Sequence, residues 1–189
     1  MKQTLKYILQ YVLENQKLAE TKHSIIIALN GAIVALILGY LKNTNTVIKS
    51  LNWAVIFFCG LSIIISFFAL HSRAVKVRTK VKKLEDINLL YYNNLAQMSS
   101  GELINNIIKY YDFPSTYLPD NFDKDLASTI VATSIVVSIK YKLFNKSTFF
   151  CVIGIVCALV MFAMVGISLW LELQKSEQFR LILQIGLPE

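Results

Sequence analysis

Residues 149–171 read FFCVIGIVCALVMFAMVGISLWL and carry no charge. A helix rises about 1.5 Å per residue and the hydrocarbon core of a bilayer is about 30 Å thick, so about 20 apolar residues suffice to cross it. Two further uncharged stretches stand upstream, LNWAVIFFCGLSIIISFFAL at 51–70 and SIIIALNGAIVALILGYL at 24–41. The last is short and recruits residues at either end. The chain therefore reads as an all-α membrane protein with three transmembrane helices: TM1 at 24–41, TM2 at 51–70 and TM3 at 149–171. Long helical extensions would form a cytoplasmic helical lobe. A signal peptide does not fit the first run, because the preceding residues carry Glu14 and Glu20 within a helical pattern and no small-residue cleavage site follows.

Charge sets the expected orientation. The chain has 189 residues and a net charge of +7. The segment 71–148 holds 11 Lys/Arg and 7 Asp/Glu, and residues 1–23 add Lys2, Lys6, Lys17 and Lys22. The hairpin 42–50 has only Lys42 and Lys49, and the tail 172–189 has Lys175 and Arg180 against three Glu. Basic residues near spans stay in the cytoplasm. Segments 1–23 and 71–148 are thus expected inside a bacterial inner membrane, with the 42–50 hairpin and the C-terminal tail on the periplasmic side. Cys59, Cys151 and Cys157 all lie in apolar runs and read as small membrane-buried residues, neither disulfides nor metal ligands.

The soluble parts read as continuations of the spans. Leu5, Leu9, Val12, Gln16, Ala19 and His23 recur at helical spacing, which predicts one helix from about Thr4 to Leu41. No Gly or Pro interrupts His71 to Met98, so TM2 is expected to run on as helix, with Val77, Val81 and Leu84 packing on the N-terminal helix. Ser100 is the expected cap of a helix over 101–111, ended by Asp112-Phe113-Pro114. A last helix starts at Asp123 or Asp125 and shows a stripe of Leu126, Ile130, Thr133, Val137, Lys140, Tyr141 and Phe144. Its β-branched run TIVATSIVVSI also suits a strand. Length and an unbroken link to the third span favour helix.

Several constellations have both a plain and a sharper reading. Arg73, Lys76, Lys80 and Lys83 share one helical face just inside the membrane. They hold the topology and touch anionic lipid, or they ring a vestibule and bind an oligonucleotide-like polyanion. Tyr91 and Tyr92 are either core aromatics or a base-stacking platform. Lys140 interrupts an apolar stripe and must snorkel, pair with an acid or contact an anion. Lys22 and His23 stand at the mouth of TM1, where a His can switch or simply sit at the interface. Asn30-Gly31 and the i, i+4 pair Ser62 and Ser66 either glue helices together or line an aqueous path. No acid or base lies at mid-depth, which argues against an ion-coupled carrier. No catalytic set, cofactor motif or metal spacing is present in the sequence, and an enzyme is not expected.

Taken together, Glu14-Asn15-Gln16 and Ala19-Glu20-Thr21-Lys22 before Asn30-Gly31, Tyr91-Tyr92, Ser99 to Ile108, and Ser134 with Lys140-Tyr141 before the last span resemble the transmembrane module of Pycsar-type bacterial antiphage effectors. In that family an acidic-x-Lys signature precedes the first span and a Ser…Lys-Tyr signature the last. Glu20 and His23 stand where members usually have Asp and Ala. Members commonly carry a fused cyclic-nucleotide-binding domain, and none fits here. The chain is in this respect similar to the stand-alone membrane channel effectors of Hailong-type systems. There a partner nucleotidyltransferase makes short oligodeoxyadenylate that holds the channel shut. The resemblance implies a homo-oligomeric ion channel (four subunits as a first expectation) in abortive infection. Its gate would be a nucleotide or single-stranded oligonucleotide, with Lys22, His23 and Tyr141 as family-motif or hinge residues. The alternatives are a non-conducting anchor for a soluble enzyme and an unregulated holin-like pore.

Overall fold

The structure, a computed structural model, describes residues 1–40, 46–72, 88–114 and 116–185, with side chains as far as residue 176, Tyr40 excepted. In chain order it contains α1 (Lys2–Tyr40), α2 (Thr46–His71), α3 (Tyr92–Leu95), α4 (Ser100–Tyr110) and α5 (Asn121–Ile185). Among the described residues there is no strand, so the all-α class holds. Three of the helices, α1, α2 and α5, are long and apolar enough to cross a membrane.

Helix α1 has 39 residues and α5 has 65, or about 59 Å and about 98 Å of helix. Both run without a break from the lobe into a span. The β-branched stretch of α5 is helical because its periodic face is buried: Ala127, Ile130 and Val137 are in the core. The Thr129 and Thr133 hydroxyls donate to the carbonyls of Asp125 and Thr129 at 2.9 and 2.8 Å, which satisfies them within the helix.

Helices α2, α4 and α5 have boundaries that differ from expectation. Helix α2 begins at Thr46, so the second half of the 42–50 hairpin is helical. It ends at His71, and the predicted continuation to Met98 fails at its far end. There Asn88 Oδ1 accepts from the Leu90 N–H at 2.9 Å, Tyr91 is extended, and only the short α3 follows. The Asn side chain stabilises a turn in place of the helix. The cap of α4 is Ser99 and not Ser100: its Oγ accepts from Glu102 N–H at 3.2 Å while the Glu102 carboxylate accepts from Ser99 N–H at 2.7 Å. That reciprocal pair needs the Ser three residues before the Glu. Helix α5 starts at Asn121, two residues before the first expected acid, because Asp120 Oδ1 accepts from Asp123 N–H at 2.8 Å. Residues 172–185 of the expected tail continue α5.

Two cores have different chemistry. In the lobe, Leu5, Ile8 and Val12 of α1 join Leu95, Leu103, Ile107, Ile130 and Val137. Water is the alternative solvent here, so each large aliphatic side chain contributes about 1.5–3 kcal/mol by burial. Between the spans the buried α2 positions are Asn52, Val55, Cys59, Ser62, Ser66 and Ala69, at spacings of three and four. Apart from Val55 these are small or polar residues, as close packing and hydrogen bonding require where lipid is as apolar as the interface. The outward side of α2 instead carries bulky groups, Trp53, Phe57, Ile64, Phe67 and Phe68.

Candidate functional site at the membrane border

The two long helices run side by side in the same direction, and their signature residues meet just before the uncharged run 24–41 of α1. Lys140 is 2% exposed, and its ammonium reaches Glu20 Oε1 of α1 at 2.5 Å. Glu20 also accepts from Gln16 Nε2 at 3.0 Å. One turn on, His23 is fully buried with Nε2 3.0 Å from the Lys140 carbonyl, and its ring meets Phe144 edge-on at 5.6 Å. Lys22 lies over the rings of Tyr141 and Phe144 at 5.1 and 5.6 Å. Tyr141 in turn stacks on Tyr92 at 5.0 Å, and Tyr91 is tilted against Tyr92 at 5.0 Å.

The acidic-x-Lys motif and the Lys-Tyr motif are therefore two halves of one clasp. Each motif contributes one ion-pair partner and one cation–π partner. Of the three options for Lys140, the geometry takes pairing with an acid, because the ammonium is enclosed and cannot reach headgroups. Burial and the neighbouring phenols of Tyr91 and Tyr141 push the Tyr92 phenol up to about 12, so it stays neutral in the stack.

The hydrogen bonds of Lys140 and then of Gln16 hold the Glu20 carboxyl below the usual glutamate range. A carboxylate whose folded pKa is depressed stabilises the fold above its ordinary value, and that contribution is lost as pH falls through the folded value. Below about pH 4.5, the ordinary value, the parent is expected to lose stability faster than the neutral double variant Glu20→Gln/Lys140→Met. Thermal unfolding in detergent across pH 3 to 6 measures this. Parallel curves for the two proteins would remove the pair from the acid response.

Deeper in the bundle a second polar group ties all three spans together. Asn30 Nδ2 donates to Ser62 Oγ at 3.0 Å, Ser62 Oγ donates to the Ser147 carbonyl at 2.9 Å, and Ser66 and Ser147 hydroxyls meet at 2.6 Å. Asn30, Ser62, Ser66 and Ser147 are all fully buried within one chain. They sit where they join helices. Gly31 faces outward with open space beside it.

Arg73, Lys76, Lys80 and Lys83 lie outside the described residues, as do Val77, Val81 and Leu84. The structure brings together Lys22, His23, Lys140, Tyr141, Tyr91 and Tyr92. Sequence reasoning missed Ser147, which lies just before the apolar run it was measured from, and the close contact of Gly154 with Cys59. It also quoted Glu20 as part of a motif without assigning it a partner. The signal for Ser147 was its place on one face with Cys151 and Gly154. Among the described residues no cluster of His, Cys, Asp and Glu is placed to hold a metal ion.

A family model described as the Pycsar effector protein domain matches residues 4–167. No curated protein and no solved structure matches.

Proposed function

The chain belongs to the Pycsar transmembrane effector family of antiphage defence, and from that premise we propose that it is an oligomeric ion channel of the bacterial inner membrane whose conductance is set by a nucleotide or short oligonucleotide at the lobe. Opening dissipates the membrane potential and halts the infected cell. The N-terminus and lobe lie in the cytoplasm, in keeping with their excess of basic residues.

One observation carries this reading. Helices α1 and α5 pass unbroken from the lobe into the spans and are locked to each other at the border by Glu20, Lys22, His23, Lys140 and Tyr141. A rearrangement in the lobe that tilts one helix is thereby delivered to the other and to the bilayer. A ligand shifts such an equilibrium only by its differential affinity for the two states. An inhibitory oligodeoxyadenylate must therefore bind the closed lobe more tightly. The nucleotidyltransferase that makes it would be the functional partner.

The basic set Arg73, Lys76, Lys80 and Lys83 is the proposed anion site, and Tyr91, which is 45% exposed, is the proposed aromatic contact for a base. Reversal of the four charges is expected to weaken oligodeoxyadenylate binding by at least about a hundredfold, since each neutralised phosphate contributes to a salt-dependent affinity. Membrane insertion should be unaffected. Filter binding of labelled oligonucleotide to the quadruple variant reads this directly, and unchanged binding would refute the site. Planar-bilayer recording of the purified protein tests conduction itself. A protein that passes no current under any ligand condition is an anchor.

A further inference from the structure

The apolar run of α5 is out of step with the two spans it packs against. The His23–Lys140 contact puts Lys140 level with the start of TM1. Ser147 is level with Ser62 and Ser66, well inside TM2. By this register the hydrocarbon begins near residue 141 on α5. Asn145 then lies about 6 Å and Lys146 about 7.5 Å inside it, at 1.5 Å per residue. Asn145 is exposed and its side chain makes no hydrogen bond within the described residues. Lys142 and Lys146 can snorkel, but an amide on so short a side chain cannot, and leaving it against acyl chains costs several kcal/mol.

The opposite end shows the complementary mismatch. Met161 is the last buried residue of α5, and from 162 to 176 every residue but Val165 is exposed. The run stays apolar as far as Leu171 and the helix continues to Ile185, past the level where α1 ends and α2 begins.

One seam links the two ends. Lys142, Asn145, Phe149, Val152, Val156 and Leu159 follow one another at spacings of three and four, all exposed, on the side of α5 away from its buried residues Ser147, Cys151, Gly154 and Ala158. Ala163, Gly166, Trp170 and Leu173 continue the same spacing. Among the described residues of one chain no helix covers this side of α5 anywhere from Lys142 to Leu173. Lipid does not cover all of it either: at one end the seam needs water, and at the other it leaves the bilayer.

We propose that this outer seam of α5 faces the symmetry axis of a homo-oligomer, with the same seam of further copies as its occupant. Lys142 and Asn145 line a water-filled inner vestibule, Phe149 to Leu159 form an apolar constriction that gates by dewetting, and the stalk beyond Met161 bundles outside the bilayer. The ring of lysines raises the local concentration of small anions, so the pore prefers chloride to potassium. Asn30, Ser62 and Ser66 do not line it. The conduction part of this proposal rests on the channel reading, but the interface does not.

The test separates the two. Full-length protein in native membranes is oxidised with copper phenanthroline as the Val156→Cys and Phe149→Cys variants, with Phe67→Cys on the outward face of α2 as the comparison and the unaltered chain as background. The seam variants are expected to form covalent dimers at least about tenfold faster than Phe67→Cys. Equal rates would overturn the interface. In planar bilayers Lys142→Glu is expected to lower the chloride-to-potassium permeability ratio by about tenfold, with Lys142→Gln intermediate. An unchanged ratio with current intact would overturn the vestibule. Seam crosslinking without any current from the parent would uphold the interface and defeat the channel reading.

Discussion

Glu20→Gln is expected to destabilise the protein by about 3 kcal/mol, and Lys140→Met by about 1 kcal/mol or less, although the two remove the same ion pair. The asymmetry follows from where each charge sits. The Lys140 side chain is 3% exposed and that of Glu20 is 40% exposed. Loss of the carboxylate strands an enclosed ammonium with no counter-charge. Loss of the ammonium leaves a carboxylate that water reaches and that keeps the Gln16 hydrogen bond. The double variant Glu20→Gln/Lys140→Met should recover most of the loss, because no charge is then left unpaired. Denaturant titration in detergent gives the three values. Equal losses in the single variants, or a double variant no better than Glu20→Gln, would show that the pair is not the enclosed clasp described here.

A second large effect is expected at Gly154. A Cβ there would stand 2.7 Å from Cys59 Sγ, 3.6 Å from Cys59 N and 3.7 Å from Phe58 Cβ. Cys59 is fully buried at the contact of α2 with α5, so its sulfur has little room to turn away. Gly154→Ala should cost about 1–3 kcal/mol by overpacking, and Gly154→Val more. Cys59→Ala alone leaves a small void and should cost about 1 kcal/mol. Combined with Gly154→Ala it moves one atom's volume from one helix to the other and should restore most of the stability. Unfolding of the four proteins under one condition decides the matter. A neutral Gly154→Ala, or a pair that fails to compensate, would mean the helices are further apart than this contact requires.

The two predictions mark where one-dimensional reading stops. The lobe face of α1 was visible because Leu5, Val12, Ala19 and His23 repeat at helical spacing, and all four are buried. The last helix was visible for the same reason. The continuation of TM2 to Met98 was wrong at its end because absence of Gly and Pro is a weak sign of helix, and the Asn88 turn forms through one side chain. Lys140 was noticed as an oddity, but Glu20 lies 120 positions away, and no local pattern pairs them. Ser147 was lost to a boundary placed by charge, where the bundle places it by packing depth.

Composition and periodicity were enough to make this an all-helical membrane protein with a basic side, because bilayer thickness and helix pitch act on every residue of a run alike. Which residues of different runs share a level is another kind of fact. It depends on how far one helix slides along its neighbour, and that offset is settled by contacts between side chains remote in the chain: an enclosed ion pair, three hydroxyls and a glycine. The offset alone makes the border motifs a clasp and sets Ser147 of α5 level with Ser62 and Ser66 of α2.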